Sequence, residues 1–221
     1  MGRLTSDDFA RVAEAIRAAE TRTSGEIFCV VSDRPERYYG AAATWAAVAA
    51  FTVPLIAILL GFQPWSLIPE WSDGPPPSAH IAEAFLAVQL ATFFAVLALI
   101  GWTPLERLMT PKRVRRSRLH RIAVDQFLAR GLHHTADRTG VLVFLNVPER
   151  YAEVIADSAI YAKVPADHWA ACVAELIRSA KAGDIGGGFV RAVGLAGDVL
   201  AVHFPPGALN PNEIPDALVQ M

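Results

Sequence analysis

Two uncharged, mostly apolar segments interrupt a chain whose other parts carry charged residues at short intervals. The first covers residues 41–62 and contains Pro54, and the second covers residues 84–102. Helices of these lengths rise about 1.5 Å per residue and so match the roughly 30 Å of a bilayer's hydrocarbon core. Membrane helices also tolerate an internal proline better than soluble helices do. The pattern therefore predicts a transmembrane helical hairpin over residues 41–103.

Basic residues are distributed unevenly around this hairpin. The connecting loop, residues 63–83, has no lysine or arginine, whereas the segment after the second helix has many. Because positive charge stays on the cytoplasmic side, we expect a multi-pass protein of the bacterial inner (plasma) membrane with cytoplasmic termini and an external loop. The adjacent bilayer makes anionic lipid headgroups, rather than nucleic acid, the expected partner of these charges. The candidate lipid-binding residues are Lys112, Arg113, Arg115, Arg116, Arg118 and Arg121.

Outside the hairpin, the periodicity indicates one discontinuous α/β domain built from residues 1–40 and 104–204. An amphipathic helix precedes an apolar strand at residues 26–31, and after the hairpin another helix precedes a second apolar strand at residues 141–146. This repeated order favours parallel strands joined by a right-handed crossover. Continuous apolar strands are typical of a sheet that is covered on both faces. We therefore expect a small mixed β-sheet sandwiched by helices.

The remainder of the domain follows the second strand. A tight turn leads into a third strand at residues 151–157, which is expected to form a hairpin with the second. Two helices follow, over residues 165–182 and 189–203, with Gly186–Gly188 as the turn between them. Residues 205–221 contain four prolines and no periodic pattern, and are predicted to be a flexible tail.

Composition agrees with this organisation. Hydrophobic residues make up 53% of the 221 positions and the mean hydropathy is +0.31, which is high for a soluble domain. A formal net charge of −2 argues against bulk binding to polyanions. Cys29 and Cys172 are too few for a disulfide framework and fall inside predicted core elements, so we expect both to be buried. No Walker, dinucleotide-binding, serine-hydrolase or zinc-protease motif is present.

Three carboxylates are candidate metal ligands. Glu26 begins the first strand and Asp157 ends the third, and an antiparallel third strand brings both to one edge of the sheet. Asp137 lies in the loop before the second strand. Hard oxygen ligands grouped in this way can hold Ca²⁺ or Mg²⁺. The alternative is that all three are ordinary exposed carboxylates or ion-pair partners.

Several segments resemble the TPM domain family, in particular its bacterial membrane-inserted branch. They are RTSGEIFCVV at residues 22–31, DRTGVLVFLNVPERYAEVIAD at residues 137–157, the helix around Trp169 and the glycines Gly186–Gly188. The resemblance implies an α/β sandwich with a small central sheet. It also implies divalent-metal binding and acid phosphatase activity, which are attributed to some members, or an auxiliary role beside other membrane proteins. Residues 157–161 read DSAIY where many members have a glycine-rich stretch.

Three functions follow as hypotheses. The first is a non-enzymatic membrane-anchored module that binds a protein partner or helps to assemble and maintain membrane complexes. The second is a metal-assisted phosphatase in which Glu26, Asp157 and Asp137 hold the ion. The third is a module that binds anionic lipid through the basic residues after the hairpin.

The predicted orientation can be tested by labelling from outside the cell. A cysteine placed at Ser72, in the connecting loop, should react with a membrane-impermeant maleimide in intact cells. A cysteine placed at Ser6 should react only after the membrane is permeabilised. Labelling of the Ser6 position in intact cells would show that the orientation is inverted.

Overall fold

The computed structural model describes residues 4–63, 77–103, 105–207 and 211–221. The chain forms two compact units. One is an α/β unit made of Met1–Glu36 together with Arg115–Met221, and the other is a helical unit, Arg37–Val114. The chain thus leaves the α/β unit once and returns to it once.

A four-stranded mixed sheet is the centre of the α/β unit. Its strands are β1 (Glu26–Ser32), β2 (Gly140–Asn146), β3 (Tyr151–Ala156) and β4 (Leu218–Gln220), in the order β3-β2-β1-β4. The β1–β2 and β1–β4 pairs are parallel, and the β2–β3 pair is antiparallel. Every residue of β1 and β2 is buried, which explains why both strands read as continuous apolar runs. The predicted small mixed sheet is confirmed.

Helices cover both faces of this sheet. Alternate residues Ile27, Cys29 and Val31 of β1 pack in one core with α1 (Ser6–Glu20), α7 (Ala170–Ala182) and α8 (Ile185–His203). Phe28 and Val30 point to the other face, which α5 (Lys112–Ala129) covers with Ala123 and Phe127. A short helix, α6 (Ser158–Tyr161), follows β3. Cys29 and Cys172 are free thiols buried in the first core, as expected.

Local polar contacts fix the start of α1. The Thr5 hydroxyl accepts a hydrogen bond from the Asp8 amide at 3.3 Å, and the Thr5 amide donates to the Asp8 carboxylate at 3.0 Å. This reciprocal capping box satisfies backbone donors that the first helical turn leaves unpaired. These two hydrogen bonds therefore mark the beginning of α1.

The three glycines Gly186–Gly188 are part of α8 and do not form the turn that was predicted before it. Asp184 caps the helix by accepting a hydrogen bond from the Gly187 amide at 3.1 Å. A Cβ added at Gly188 would lie 2.5 Å from the Ser179 Cβ, so a side chain cannot fit there. Gly188 therefore allows α8 to pack closely against α7, and the turn itself is made by Gly183, with φ of 82°.

The helical unit contains α2 (Tyr39–Leu59), α3 (Ser78–Trp102) and the short α4 (Leu105–Met109). Small side chains on one stripe of α2 pack towards α3: Ala42, Ala46 and Ala50, followed by Pro54. The larger apolar residues of both helices point outward. The helix α3 begins at Ser78, earlier than the predicted residue 84, and Ser78–Glu83 form its first turns. Most of the connecting loop, residues 64–76, lies outside the described residues.

Three helices of the described chain are long and apolar enough to cross a membrane: α2, α3 and α8. The most apolar window of α8 is 56% buried, compared with 22% for α2 and 11% for α3. The apolar surface of α8 is therefore used mainly in packing against α1 and α7, whereas that of α2 and α3 is left on the outside.

The prediction of a flexible tail over residues 205–221 is wrong for its last part. Leu218–Gln220 form β4, the amide of Met221 donates to the Val31 carbonyl at 2.9 Å, and Ile214 and Leu218 are buried. The physical reason is that β1 would otherwise expose a row of unpaired backbone groups at the edge of the sheet. A three-residue strand after several prolines has too short a pattern to be recognised in the sequence.

Replacing Leu218 with alanine should destabilise the α/β unit by about 2–3 kcal/mol, because it removes a buried side chain between β1 and α1. Denaturant unfolding in mild detergent, followed by near-ultraviolet circular dichroism, measures this change. Val202→Ala is the matched control, since Val202 is 77% exposed, and should change stability by less than about 0.5 kcal/mol. Equal effects of the two substitutions would contradict the packed C-terminal strand.

Candidate functional site

Glu26 and Asp157 lie at the same end of the sheet, as the sequence predicted. Glu26 is aligned with Gly140 in the parallel β1–β2 pair, and the Asp157 amide donates to the Gly140 carbonyl at 2.9 Å. The two acidic residues are therefore on either side of Gly140. Two strand spacings separate them, about 10 Å in total.

Gly140, which lies between Glu26 and Asp157, is covered by the backbone of Leu132. A Cβ added at Gly140 would lie 2.1 Å from the carbonyl oxygen of Leu132, which is fully buried in a 3₁₀ turn, Leu132–His134. Only glycine permits this close approach. The turn therefore packs directly on the strand that separates Glu26 from Asp157.

Each of the three predicted metal ligands has different surroundings. Asp157 caps α6, with its Oδ1 accepting from the Ser158 hydroxyl at 3.0 Å, and its buried Oδ2 has no hydrogen-bond partner among the described residues. Glu26 accepts a hydrogen bond from the Ile214 amide at 3.1 Å. Asp137 lies in an exposed turn.

These three carboxylates do not fit a single divalent metal ion. In the described parts of the chain, no group of three or more histidine, cysteine, aspartate or glutamate side chains is arranged to hold a metal. Ca²⁺ and Mg²⁺ need several oxygen ligands within about 2.0–2.6 Å of the ion. Glu26 and Asp157 each accept a hydrogen bond from a backbone amide, of Ile214 and Ser158 respectively, and no third ligand of these types among the described residues joins them.

The structure reveals a carboxyl cluster that the sequence did not indicate. Glu20, at the end of α1, accepts a hydrogen bond from the Ile27 amide at 2.8 Å and is hydrogen-bonded to the side chain of Asp216. Burial raises the pKa of Glu20 from its ordinary value of 4.5 to about 9. Burial also raises the pKa of the neighbouring Glu26. Glu20 is therefore protonated at neutral pH.

This cluster attaches the C-terminal segment to the sheet. Asp216 forms an ion pair with Arg17 at 3.3 Å and accepts a hydrogen bond from the Asn212 side chain at 2.8 Å. The Ile214 amide is bound by Glu26, and Glu213 accepts from the Ala136 amide at 3.0 Å. The cluster could not be found from the sequence because its members are separated by nearly the whole chain.

The basic residues of α5 divide into two groups. Arg115 binds Glu149 at 3.1 Å, and Arg118 binds Glu36 at 3.0 Å. Both arginines therefore help to hold α5 on its own unit, a structural role that the sequence did not separate from lipid binding. The other predicted lipid-binding residues are exposed: Lys112, Arg113, Arg116 and Arg121.

A second polar network joins α7 to α8. Arg191 donates to Glu175 at 2.6 Å, to the Ser179 hydroxyl at 2.9 Å and to Asp184 at 2.9 Å. The hydrogen bond from Arg191 holds the pKa of Glu175 below its usual range. Since Glu175 and Ser179 are buried, this network fixes the alignment of the two helices.

The segment after α6 contacts the end of α8 through two pairs of side chains. The ammonium group of Lys163 lies 4.7 Å from the centre of the Phe204 ring, and the rings of His168 and His203 are 6.2 Å apart. These contacts bring together two chain segments that also carry the exposed side chains of Tyr161 and Val202. We name this the Tyr161–Val202 surface.

Comparison with known proteins supports the fold. No protein-family model and no curated protein matches the chain. The NMR structure of the BA42 protein from the psychrophilic bacterium Bizionia argentinensis is similar, with a TM-score of 0.57 and 17% sequence identity. The match covers 99% of this chain and 95% of that chain. At this identity the likeness shows the fold alone, and the fold of that neighbour is TPM-domain-like.

The buried carboxyl of Glu20 should make stability depend on pH. The pKa of Glu20 in the folded state, about 9, lies above its ordinary value of 4.5. The folded state therefore binds this proton more tightly than the unfolded state does. The resulting stabilisation of the folded state is full below about pH 4.5 and is lost as pH rises towards 9. The melting temperature should therefore fall over this range. Glu20→Gln should reduce the slope, because the amide does not titrate.

The control for this measurement is Glu14→Gln, which changes an exposed carboxyl on the same helix. Its melting temperature should follow the wild-type curve at every pH. Parallel curves for wild type and Glu20→Gln would show that Glu20 does not carry the pH dependence.

Proposed function

We propose that this chain is a membrane-anchored, non-enzymatic module whose cytoplasmic α/β unit binds a protein partner and helps to assemble or maintain a membrane complex. The observation that supports it best is the outward apolar surface of α2 and α3. Phe51 is 68% exposed, Leu59 is 78% exposed and Phe94 is 61% exposed. In water, a continuous surface of this kind is unfavourable, whereas in hydrocarbon it has no such cost.

The polar chemistry of the α/β unit also favours a structural and binding role. Glu175 and Arg191 join α7 to α8, and Arg115 with Glu149 holds α5 in place. Glu26 and Asp157 bind backbone amides instead of converging on one point. Each of these charged groups is engaged with the unit's own elements, as expected of a rigid support.

The Tyr161–Val202 surface is our candidate for the partner contact. It combines an exposed tyrosine, two histidines and an exposed valine, and tyrosine is enriched among the residues that dominate binding energy at protein interfaces. It lies on the α/β unit, so a partner bound there would be held beside the membrane by the hairpin. The partner we propose is a protein with a complementary apolar patch.

The proposal predicts that a protein partner no longer binds when a lysine is introduced into the Tyr161–Val202 surface. Membranes from cells expressing tagged wild type, Val202→Lys or Leu128→Lys would be cross-linked, solubilised and purified by the tag. A specific protein should be recovered with wild type and with Leu128→Lys, which changes an exposed leucine on α5, but at least tenfold less with Val202→Lys. Carbonate washing should leave all three chains in the membrane fraction.

Several results would contradict the proposal. Extraction of the chain by carbonate would rule out membrane anchorage. Recovery of the same proteins with all three chains, or of none, would argue against this partner surface. Phosphatase activity of the purified protein that is stimulated by Mg²⁺ or Ca²⁺ and lost in Glu26→Ala or Asp157→Ala would instead support the metal-assisted enzyme.

A further inference from the structure

The short helix α4 is fixed to the start of α2. The indole nitrogen of Trp45 donates to the Met109 carbonyl at 3.2 Å, and the Tyr38 amide donates to the Glu106 carboxylate. The helix α4 also contacts α3, so it is held beside both long helices of the helical unit. Its position is therefore determined by contacts within that unit.

Large apolar side chains project from this end of the helical unit. Trp102 is 89% exposed and Leu108 is 82% exposed, and Tyr39 at the start of α2 is also exposed. Tyr39 is the first residue of α2 and Trp102 is the last residue of α3. We name Tyr39, Trp102 and Leu108, together with the cations beside them, the α4 surface.

The cations of the α4 surface are Arg37, Arg107, Lys112 and Arg113, all of which are exposed. The guanidinium of Arg37 lies 6.0 Å from the centre of the Tyr39 ring. All four cations belong to the same compact unit as α2 and α3. Aromatic, aliphatic and cationic groups thus occur together at the end of the apolar helices.

We propose that α4 lies in the headgroup layer of the membrane and that the α4 surface binds anionic phospholipid. Trp102 and Leu108 enter the boundary between headgroups and acyl chains, while Lys112 and Arg113 contact the phosphates. This inference rests on the proposed membrane insertion and adds a lipid partner to it. It also removes Arg115 and Arg118 from the candidate lipid-binding residues, because both form ion pairs with carboxylates of the α/β unit.

Physical arguments favour lipid as the occupant of this surface. Tryptophan and tyrosine prefer the membrane interface, where the ring is shielded and its polar group remains hydrated. Each lysine or arginine near an anionic surface contributes about 1 kcal/mol, which corresponds to about a fivefold change in relative affinity. Tyr39 and Trp102 are terminal residues of α2 and α3, so the α4 surface adjoins the helices that are proposed to face acyl chains.

The test uses the full chain reconstituted in vesicles. A Leu108→Cys variant is labelled with bimane, and the native Cys29 and Cys172 are spared because both are fully buried. Fluorescence quenching is measured in vesicles that contain phosphatidylcholine or phosphatidylglycerol with brominated acyl chains. Competition between the two brominated lipids gives the relative affinity at this position. Trp102→Cys provides a second labelling site if the first variant is poorly folded.

We expect quenching at position 108, with a preference of several-fold for phosphatidylglycerol over phosphatidylcholine. Lys112→Gln with Arg113→Gln should remove most of this preference, because about 1 kcal/mol for each cation is enough to account for it. Lys181→Gln, which removes an exposed charge from α7, should leave the preference unchanged. This control separates a local effect from a change in net charge.

The outcomes distinguish this inference from the membrane anchorage on which it rests. A chain that resists carbonate extraction but shows no quenching at position 108 would overturn the placement of α4 while anchorage stands. Equal quenching by both lipids, unchanged in the double variant, would overturn the selectivity for anionic lipid. A chain that is extracted by carbonate would overturn both proposals.

Discussion

The parallel pairing of β1 with β2 is the constraint on which the rest of the structure depends. Their aligned residues, from Glu26 with Gly140 to Ser32 with Asn146, form the centre of the sheet and are buried on both faces. Parallel neighbours need a long connection, and here that connection contains the helical hairpin. A pair of helices is suited to this position, because the chain leaves the α/β unit after Glu36 and returns to it at Arg115.

The same pairing determines where polar groups are placed. It puts Glu26 at the end of the sheet and leaves the outer edge of β1 to be covered by β4. Covering that edge buries the carboxyl of Glu20 and brings Asp216 beside it. The acidic cluster is therefore a consequence of closing the sheet, and the protonation of Glu20 reduces the repulsion that three neighbouring carboxylates would otherwise have.

The sequence was informative where structure is determined locally. Apolar runs predicted β1 and β2, the Thr5–Asp8 capping box marked the start of α1, and uncharged length predicted α2 and α3. It failed where a distant contact decides the outcome. The sequence of Gly186–Gly188 is typical of a turn, but in the structure these glycines are helical and Gly188 packs against Ser179. The strand β4 is too short to be recognised without its neighbour β1.

The candidate site shows the same limit. Antiparallel pairing of β2 and β3 correctly brought Glu26 and Asp157 to one end of the sheet. No local pattern indicated that the backbone of Leu132 would lie on Gly140 between them. In the same way, the charge of Arg115 and Arg118 was evident, but their binding to Glu149 and Glu36 depends on how α5 packs.

The order of the strands along the chain has a consequence for biogenesis. Both neighbours of β1 are translated after it, since β2 begins at Gly140 and β4 at Leu218, and the apolar helices α2 and α3 emerge from the ribosome in between. The apolar strand β1 therefore stays unpaired while α2 and α3 are translated. Pairing of β1 thus has to follow translation of both long helices, and β1 needs protection from aggregation during that interval.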